Sequence, residues 1–355
     1  MVNHLEQVKE FDESKAGVKG LCDSSLTSLP TMFIQPPEIL STLRPPSSPK
    51  PITIPLINLA GRRSTAVQKL TDAARTYGFF QIINHGIPVS VIDQTINSVK
   101  AFHEQPNEAK AQLYGRQVGN PVQYSTNIDL YRSSAATWHD YVQVKMSPEE
   151  ERARPEEVPE VCRRELGEWD GWVTGVCEKV MEMLCEGLGL EQGKFKELTF
   201  YEERVLVGVY YPPCPQPELT FGLKPHSDPC VLTILIENGV PGLQVKFEDE
   251  WVDVKPVHGA LTVNVGDFLQ IVSNDEYKSV KHRVLANSSE EARISAVMFF
   301  NANKWNDSGY LGPLPELLSP EKPARYRDFT KQEFMTSFYG KALDGETLPD
   351  KTRIL

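Results

Sequence analysis

Between residues 205 and 300 the chain is a succession of short β-branched and aromatic runs separated by Gly, Pro, Asn and Asp turns. The runs at 205–211, 231–236, 243–247, 251–254, 261–265, 269–272, 284–286 and 294–300 are too short for ordinary helices and read as strands. Strands this close together point to a sandwich or barrel of jelly-roll type. The first half reads differently. A strand signal at 52–59 is followed by a helix over 64–77 with Ser64 or Thr65 as N-cap, a strand over 78–84, a turn at 85–88 and a helix over 89–103. A long helix near 167–188 carries Trp172, Val176, Val180, Met183 and Leu184 at helical spacing. Residues 11–21 suggest a short helix ending at a glycine, and the prolines from Pro30 to Pro51 suggest an arm laid on the body. A last helix falls around 330–338. The expected class is mainly β with flanking helices. Its parts are an arm (1–50), a helical and strand region (51–200), a jelly-roll core (201–310) and a helical tail (311–355).

Inside the β region, His226 and Asp228 are two apart, so in extended backbone both side chains point to one face. Two imidazoles and a carboxylate on one side of a metal leave three positions open, as non-haem Fe(II) oxygen chemistry requires. A zinc hydrolase uses similar ligands. Of the seven histidines, His4 lies in the terminus, His85 in a turn, and His103 and His139 in the helical half. The third ligand is therefore sought between His258 and His282. Val280, His282 and Val284 share a face, which turns that imidazole inward, whereas His258 precedes Gly259 in a turn and is expected to be exposed. His282 is preferred.

Eleven residues after His282, Arg293 and Ser295 face the same way on a strand. A buried arginine is costly unless it meets an anion, and its fork suits a carboxylate. A structural pair with an internal acid is the competing reading. Near a metal, a 2-oxoacid becomes the better partner, with Tyr211 as a further donor. Asn127, Tyr131, Trp138, Tyr141, Phe299, Phe334 and Phe338 are candidates for a substrate pocket, each equally at home in the core.

The net charge of -11 (37 basic against 48 acidic residues) argues against nucleic acid or an anionic membrane surface as partner. No run is apolar and long enough to cross a bilayer, and the six cysteines show no C-x-x-C pair. A cytoplasmic, monomeric protein acting on a small molecule is expected.

These motifs resemble those of plant 2-oxoglutarate- and Fe(II)-dependent dioxygenases. They are Ile54-Pro55-Leu56-Ile57-Asn58-Leu59, the stretch from Tyr77 to Ile87, Tyr210-Tyr211-Pro212-Pro213-Cys214-Pro215, His226-Ser227-Asp228, Gly242-Leu243-Gln244-Val245, Asn264-Val265-Gly266-Asp267, Ser273 to Arg283, and Arg293-Ile294-Ser295. The opening Phe11-Asp12-Glu13-Ser14-Lys15-Ala16-Gly17-Val18-Lys19-Gly20-Leu21 is similar to the branch of 1-aminocyclopropane-1-carboxylate oxidase homologues, related to deacetoxyvindoline 4-hydroxylase. The resemblance implies a double-stranded β-helix core with Fe(II) on His226, Asp228 and His282. It implies 2-oxoglutarate on Arg293, Ser295 and Tyr211, O2 as oxidant and ascorbate in support. It also implies hydroxylation of a ring-containing specialised metabolite such as an alkaloid, with desaturation, demethylation or ring closure as variants. An ascorbate-dependent oxidase and a non-catalytic binder are the alternatives. Val209 stands where many relatives have Asn.

Overall fold

The computed structural model describes residues 4–24, 26–43, 52–117, 119–303, 309–339 and 345–354. The strands are β1 (Leu56–Asn58), β2 (Phe79–Ile83), β3 (Val122–Thr126), β4 (Asp140–Ser147), β5 (Glu203–Tyr211), β6 (Phe221–His226) and β7 (Leu232–Glu237). They continue with β8 (Leu243–Phe247), β9 (Glu250–Asp253), β10 (Leu261–Val265), β11 (His282–Leu285) and β12 (Arg293–Asn301), and a small pair β13 (Tyr310–Leu311) and β14 (Phe329–Thr330). An eight-stranded sheet runs β1-β2-β10-β7-β12-β5-β4-β3, and a four-stranded sheet runs β6-β11-β8-β9. Period-two alternation gives the large sheet two apolar faces. One carries Leu206, Ile234, Val263, Ile294, Ala296 and Met298, which pack with the helices α4 (Val89–His103) and α5 (Glu160–Gly187) in the main core. The other carries Tyr141, Val209, Tyr211 and Val297, which meet Leu243, Val245, Val252 and Val284 of the small sheet. This jelly-roll sandwich is the expected fold class.

Several local expectations differ from what forms. The helix expected over 11–21 is two helices, α1 (His4–Ser14) and α2 (Gly17–Asp23). The break falls at Lys15 and Gly17, both with positive φ, and a Cβ at Gly17 would collide with Tyr124 and Asp140. The strand expected over 269–272 belongs to a helix, α6 (Asp267–Val272). Phe268, Leu269, Ile271 and Val272 are all buried there, so no polar face betrays the period. The helix α3 (Arg63–Thr76) begins after Arg62, without a side-chain cap from Ser64 or Thr65. The strand expected over 52–59 is reduced to Leu56–Asn58. On α5 the buried tryptophan is Trp169, while Trp172 is 42% exposed. The expected C-terminal helix is α7 (Lys331–Tyr339). Pro45, Pro46, Pro49 and Pro51 lie outside the described residues.

Strands β3 and β4, in the stretch read as helical, extend the large sheet beyond β5 and anchor the N-terminal arm. The Asp140 carboxylate, fully buried at the start of β4, accepts the backbone N–H groups of Val18 (2.7 Å) and Lys19 (2.8 Å). Asp12 on α1 accepts the Arg116 guanidinium (2.7 Å) and the Tyr131 hydroxyl (2.8 Å). Asp140→Ala strands two backbone donors away from water, so the variant is expected to lose roughly 2–4 kcal/mol of stability, read by chemical denaturation.

Candidate metal centre

The antiparallel register of β6 against β11 sets His226 directly opposite His282. Their ring centroids are 4.3 Å apart, and each Nε2 lies 3.5 Å from Oδ1 of Asp228, which follows β6. One donor atom from each of the three residues lies within 4.8 Å of the others, and all three residues are buried. Ligands at about 2.1 Å in an octahedral shell stand about 3 Å apart, so small side-chain adjustments close this triangle on an ion. His258, the other candidate, has a side chain 72% exposed and meets Asp93 at 2.9 Å.

The surroundings aim the donors inward. Nδ1 of His226 stands 2.7 Å from the carbonyl of Lys224, so that nitrogen donates there and Nε2 is the one aimed at the centre. Oδ2 of Asp228 accepts the Thr233 hydroxyl (2.6 Å) and the Asn264 amide (2.8 Å), leaving Oδ1 for a metal. Burial works against the Asp228 charge, but His282, His226 and Thr233 outweigh it and hold the carboxyl well below the usual range. Burial pushes His282 down to about 4, against the pull of Asp228, so its imidazole is neutral as a ligand must be. Phe79 packs on its ring at 5.5 Å.

The large sheet arranges the rest in rows. Tyr141, Val209, Ser295 and Glu237 lie directly across from one another on β4, β5, β12 and β7. Phe299, Thr233, Asn264 and Phe79 form another row on the same face, which carries both partners of Asp228. Arg293 pairs across β12–β5 with Tyr211, and its guanidinium lies 5.1 Å from that ring's centroid. Gly222 permits this placement, since a Cβ there would come within 2.9 Å of the Tyr211 ring. Burial pushes the Tyr211 phenol up to about 12, partly offset by Arg293, so it remains a neutral donor.

Arg293 is 1% exposed. Its Nη2 donates to Glu237 (2.6 Å), while Nε, Nη1 and the Ser295 hydroxyl are buried and, the neighbouring Tyr211 phenol apart, have no hydrogen-bond partner. Buried donors left open in this way are rare and costly, and a carboxylate supplied from outside satisfies them. The donor sets therefore fit both iron and the distal carboxylate of 2-oxoglutarate.

Of the sequence-derived pocket candidates, Tyr141 and Phe299 belong to the packed group that holds Tyr211, Val209 and Val297. The others are placed elsewhere. Trp138 packs on Phe33 of the arm (4.9 Å) and donates to the Pro213 carbonyl. Tyr131 is half exposed and tied to Asp12. Asn127, with positive φ, pins the loop before β4 through the Thr137 N–H and hydroxyl (2.6 Å each). Phe334 packs on Phe268 (6.3 Å). Phe338 lies in α7, and its side chain is outside the described residues. Sequence reasoning missed His139, which precedes β4, stacks on Tyr141 (6.3 Å) and tilts against Tyr211 (5.7 Å), with Nδ1 2.7 Å from the Gly222 carbonyl. The alternation in Asp140-Tyr141-Val142-Gln143-Val144 was the signal that would have placed it.

Comparison with known proteins agrees with this geometry. Residues 202–302 match the 2OG-Fe(II) oxygenase superfamily, and residues 54–163 match the non-haem dioxygenase in morphine synthesis N-terminal family. The chain is 43% identical over 342 residues to 1-aminocyclopropane-1-carboxylate oxidase homolog 4 of Arabidopsis thaliana, covering 96% of each protein. The crystal structure of JOX2 in complex with 2OG, Fe and JA superposes with a TM-score of 0.84 at 32% identity, covering 96% of this chain and 97% of that one. The rice dioxygenase for auxin oxidation, at 22% identity, covers 85% of this chain and 100% of its own with a TM-score of 0.68, and so shares the fold. The chain belongs to the 2OG-Fe(II) oxygenase superfamily. It is a dioxygenase that uses iron and 2-oxoglutarate. Among the described residues no helix is long and apolar enough to cross a membrane.

Proposed function

We propose that the chain inserts oxygen at an unactivated C–H of a ring-containing small molecule, with His226, Asp228 and His282 as the iron ligands and Arg293, Ser295 and Tyr211 as the 2-oxoglutarate anchor. The open buried donors of Arg293 and Ser295, on the same sheet face as the residues that hold Asp228, carry this reading. Bound iron with 2-oxoglutarate and O2 supplies a two-electron oxidation, with succinate and CO2 as co-products. The chain's own residues supply position. Lys224, Thr233 and Asn264 fix the ligand atoms, and Arg293 with Ser295 fixes one end of the co-substrate. Val207, Val209, Val297, Phe299 and Tyr141 line one face of the inner cluster, and apolar and aromatic side chains of this kind suit a ring and exclude water.

Hydroxylation is the outcome proposed, and a plant specialised metabolite of alkaloid, indole, flavonoid or terpenoid type the substrate class. The test incubates the iron-loaded protein with 2-oxoglutarate and a panel of such compounds. Succinate is expected in one-to-one ratio with a product heavier by one oxygen atom. Product formed without succinate, dependent on ascorbate alone, would instead establish an oxidase. Neither product nor succinate with any compound in the panel would favour a binding role.

A further inference from the structure

Glu237 ends β7 and sits across from Ser295, in the row that holds the proposed co-substrate anchor. Its carboxylate accepts from Nη2 of Arg293 at 2.6 Å, and its side chain is 8% exposed. It also lines a small pocket with Gln81, Thr262 and His258. With Nη2 held by Glu237, the guanidinium keeps its two open donors for an arriving anion. The guanidinium must then serve two carboxylates, Glu237 on Nη2 and the co-substrate on Nε and Nη1. We propose that Glu237 is a positioning residue that sets both the orientation and the net charge of the 2-oxoglutarate anchor. It holds the fork so that Nε and Nη1 face inward. It also neutralises Arg293, so a dianionic co-substrate binds by hydrogen-bond geometry against a like charge rather than by simple charge attraction. The consequence is a co-substrate affinity kept deliberately below what Arg293 alone would give.

This rests on Arg293 being the anchor, and the test separates the two claims. Affinities for 2-oxoglutarate and for its 5-amide, which is uncharged at the distal end only, are measured by anaerobic calorimetry on the Fe(II)-loaded protein. Glu237→Gln keeps an oxygen acceptor for Nη2 but removes the charge. It is expected to bind 2-oxoglutarate ~10-fold more tightly while binding the 5-amide as the wild type does. Glu237→Ala removes the acceptor as well and is expected to weaken the 5-amide, because the fork is no longer held. A Glu237→Gln variant that binds both probes with unchanged affinity, or shifts both equally, would overturn the electrostatic role. Should Arg293→Met leave 2-oxoglutarate binding untouched, the anchor itself is misassigned, whatever the Glu237 variants do.

Discussion

His282→Ala is expected to lose more than ~100-fold in turnover and most of its bound iron, while keeping the fold. The imidazole is one of only two neutral donors in the triad, and a His-Asp remnant holds the ion by two points instead of three. Few structural contacts are lost with it. The ring packs on Phe79, and its Nδ1 stands 3.4 Å from the Val280 carbonyl, too long for a strong bond. The loss of stability is therefore expected to be roughly 1–2 kcal/mol, the ordinary cost of a point substitution. Metal analysis, circular dichroism and succinate release read the three quantities separately. His258→Ala is the control, since that side chain is exposed and bonded only to Asp93 among the described residues. Native iron content in His282→Ala would remove this residue from the metal site. Chelation of the wild type is expected to abolish turnover, with Fe(II) restoring it.

How far the sequence foretold this centre follows from what each residue's signal is made of. His226 and His282 were legible because a strand has period two, which turned Val280, His282 and Val284 to one side. Arg293 and Ser295 were legible for the same reason. β5, β7, β8, β10 and β12 were readable because each combines a β-branched run with turn residues at both ends. α6 was not, because burial on every side erases the amphipathic pattern that separates helix from strand. β3 and β4 carry a clear alternation, but the loop between them is closed by Asn127 in a conformation with positive φ, and a hairpin that long gives no turn signature. β6 was obscured by Pro225, which is tolerated there because β6 is an edge of its sheet. Tyr131 and Trp138 looked like pocket residues until their partners were known. These are Asp12 in one case and Phe33 in the other, each more than a hundred residues away in sequence. Glu237, just ahead of Asn238 and Gly239, lies past the end of the apolar run at 231–236 and carried no signal of its own. Only the register of β7 against β12 brings it beside Ser295 and within reach of Arg293.

The same register decides what removing Arg293 should do. Arg293→Met is expected to weaken 2-oxoglutarate binding by ~10²–10³-fold, the usual consequence of taking one partner from a buried, hydrogen-bonded charge pair. It also leaves the Glu237 carboxylate buried without its cation, a defect that costs roughly 3–5 kcal/mol by itself. A single variant would therefore confuse lost binding with lost folding. The double variant Arg293→Met with Glu237→Gln removes both charges together and is expected to regain most of the stability. Co-substrate affinity should recover by no more than the ~10-fold that removing the Glu237 charge gives and stay well below the wild type, because the open donors Nε and Nη1 are gone in both. Iron affinity should hardly change in either, since the residues that fix Asp228 lie in another row of the sheet, around Thr233 and Asn264. Thermal unfolding, anaerobic calorimetry with 2-oxoglutarate and metal analysis supply the three readings. Near-native co-substrate affinity in a stable double variant would mean that Ser295 and Tyr211 anchor the carboxylate without the arginine, and that the Arg293–Glu237 pair is only a buried strut between β12 and β7.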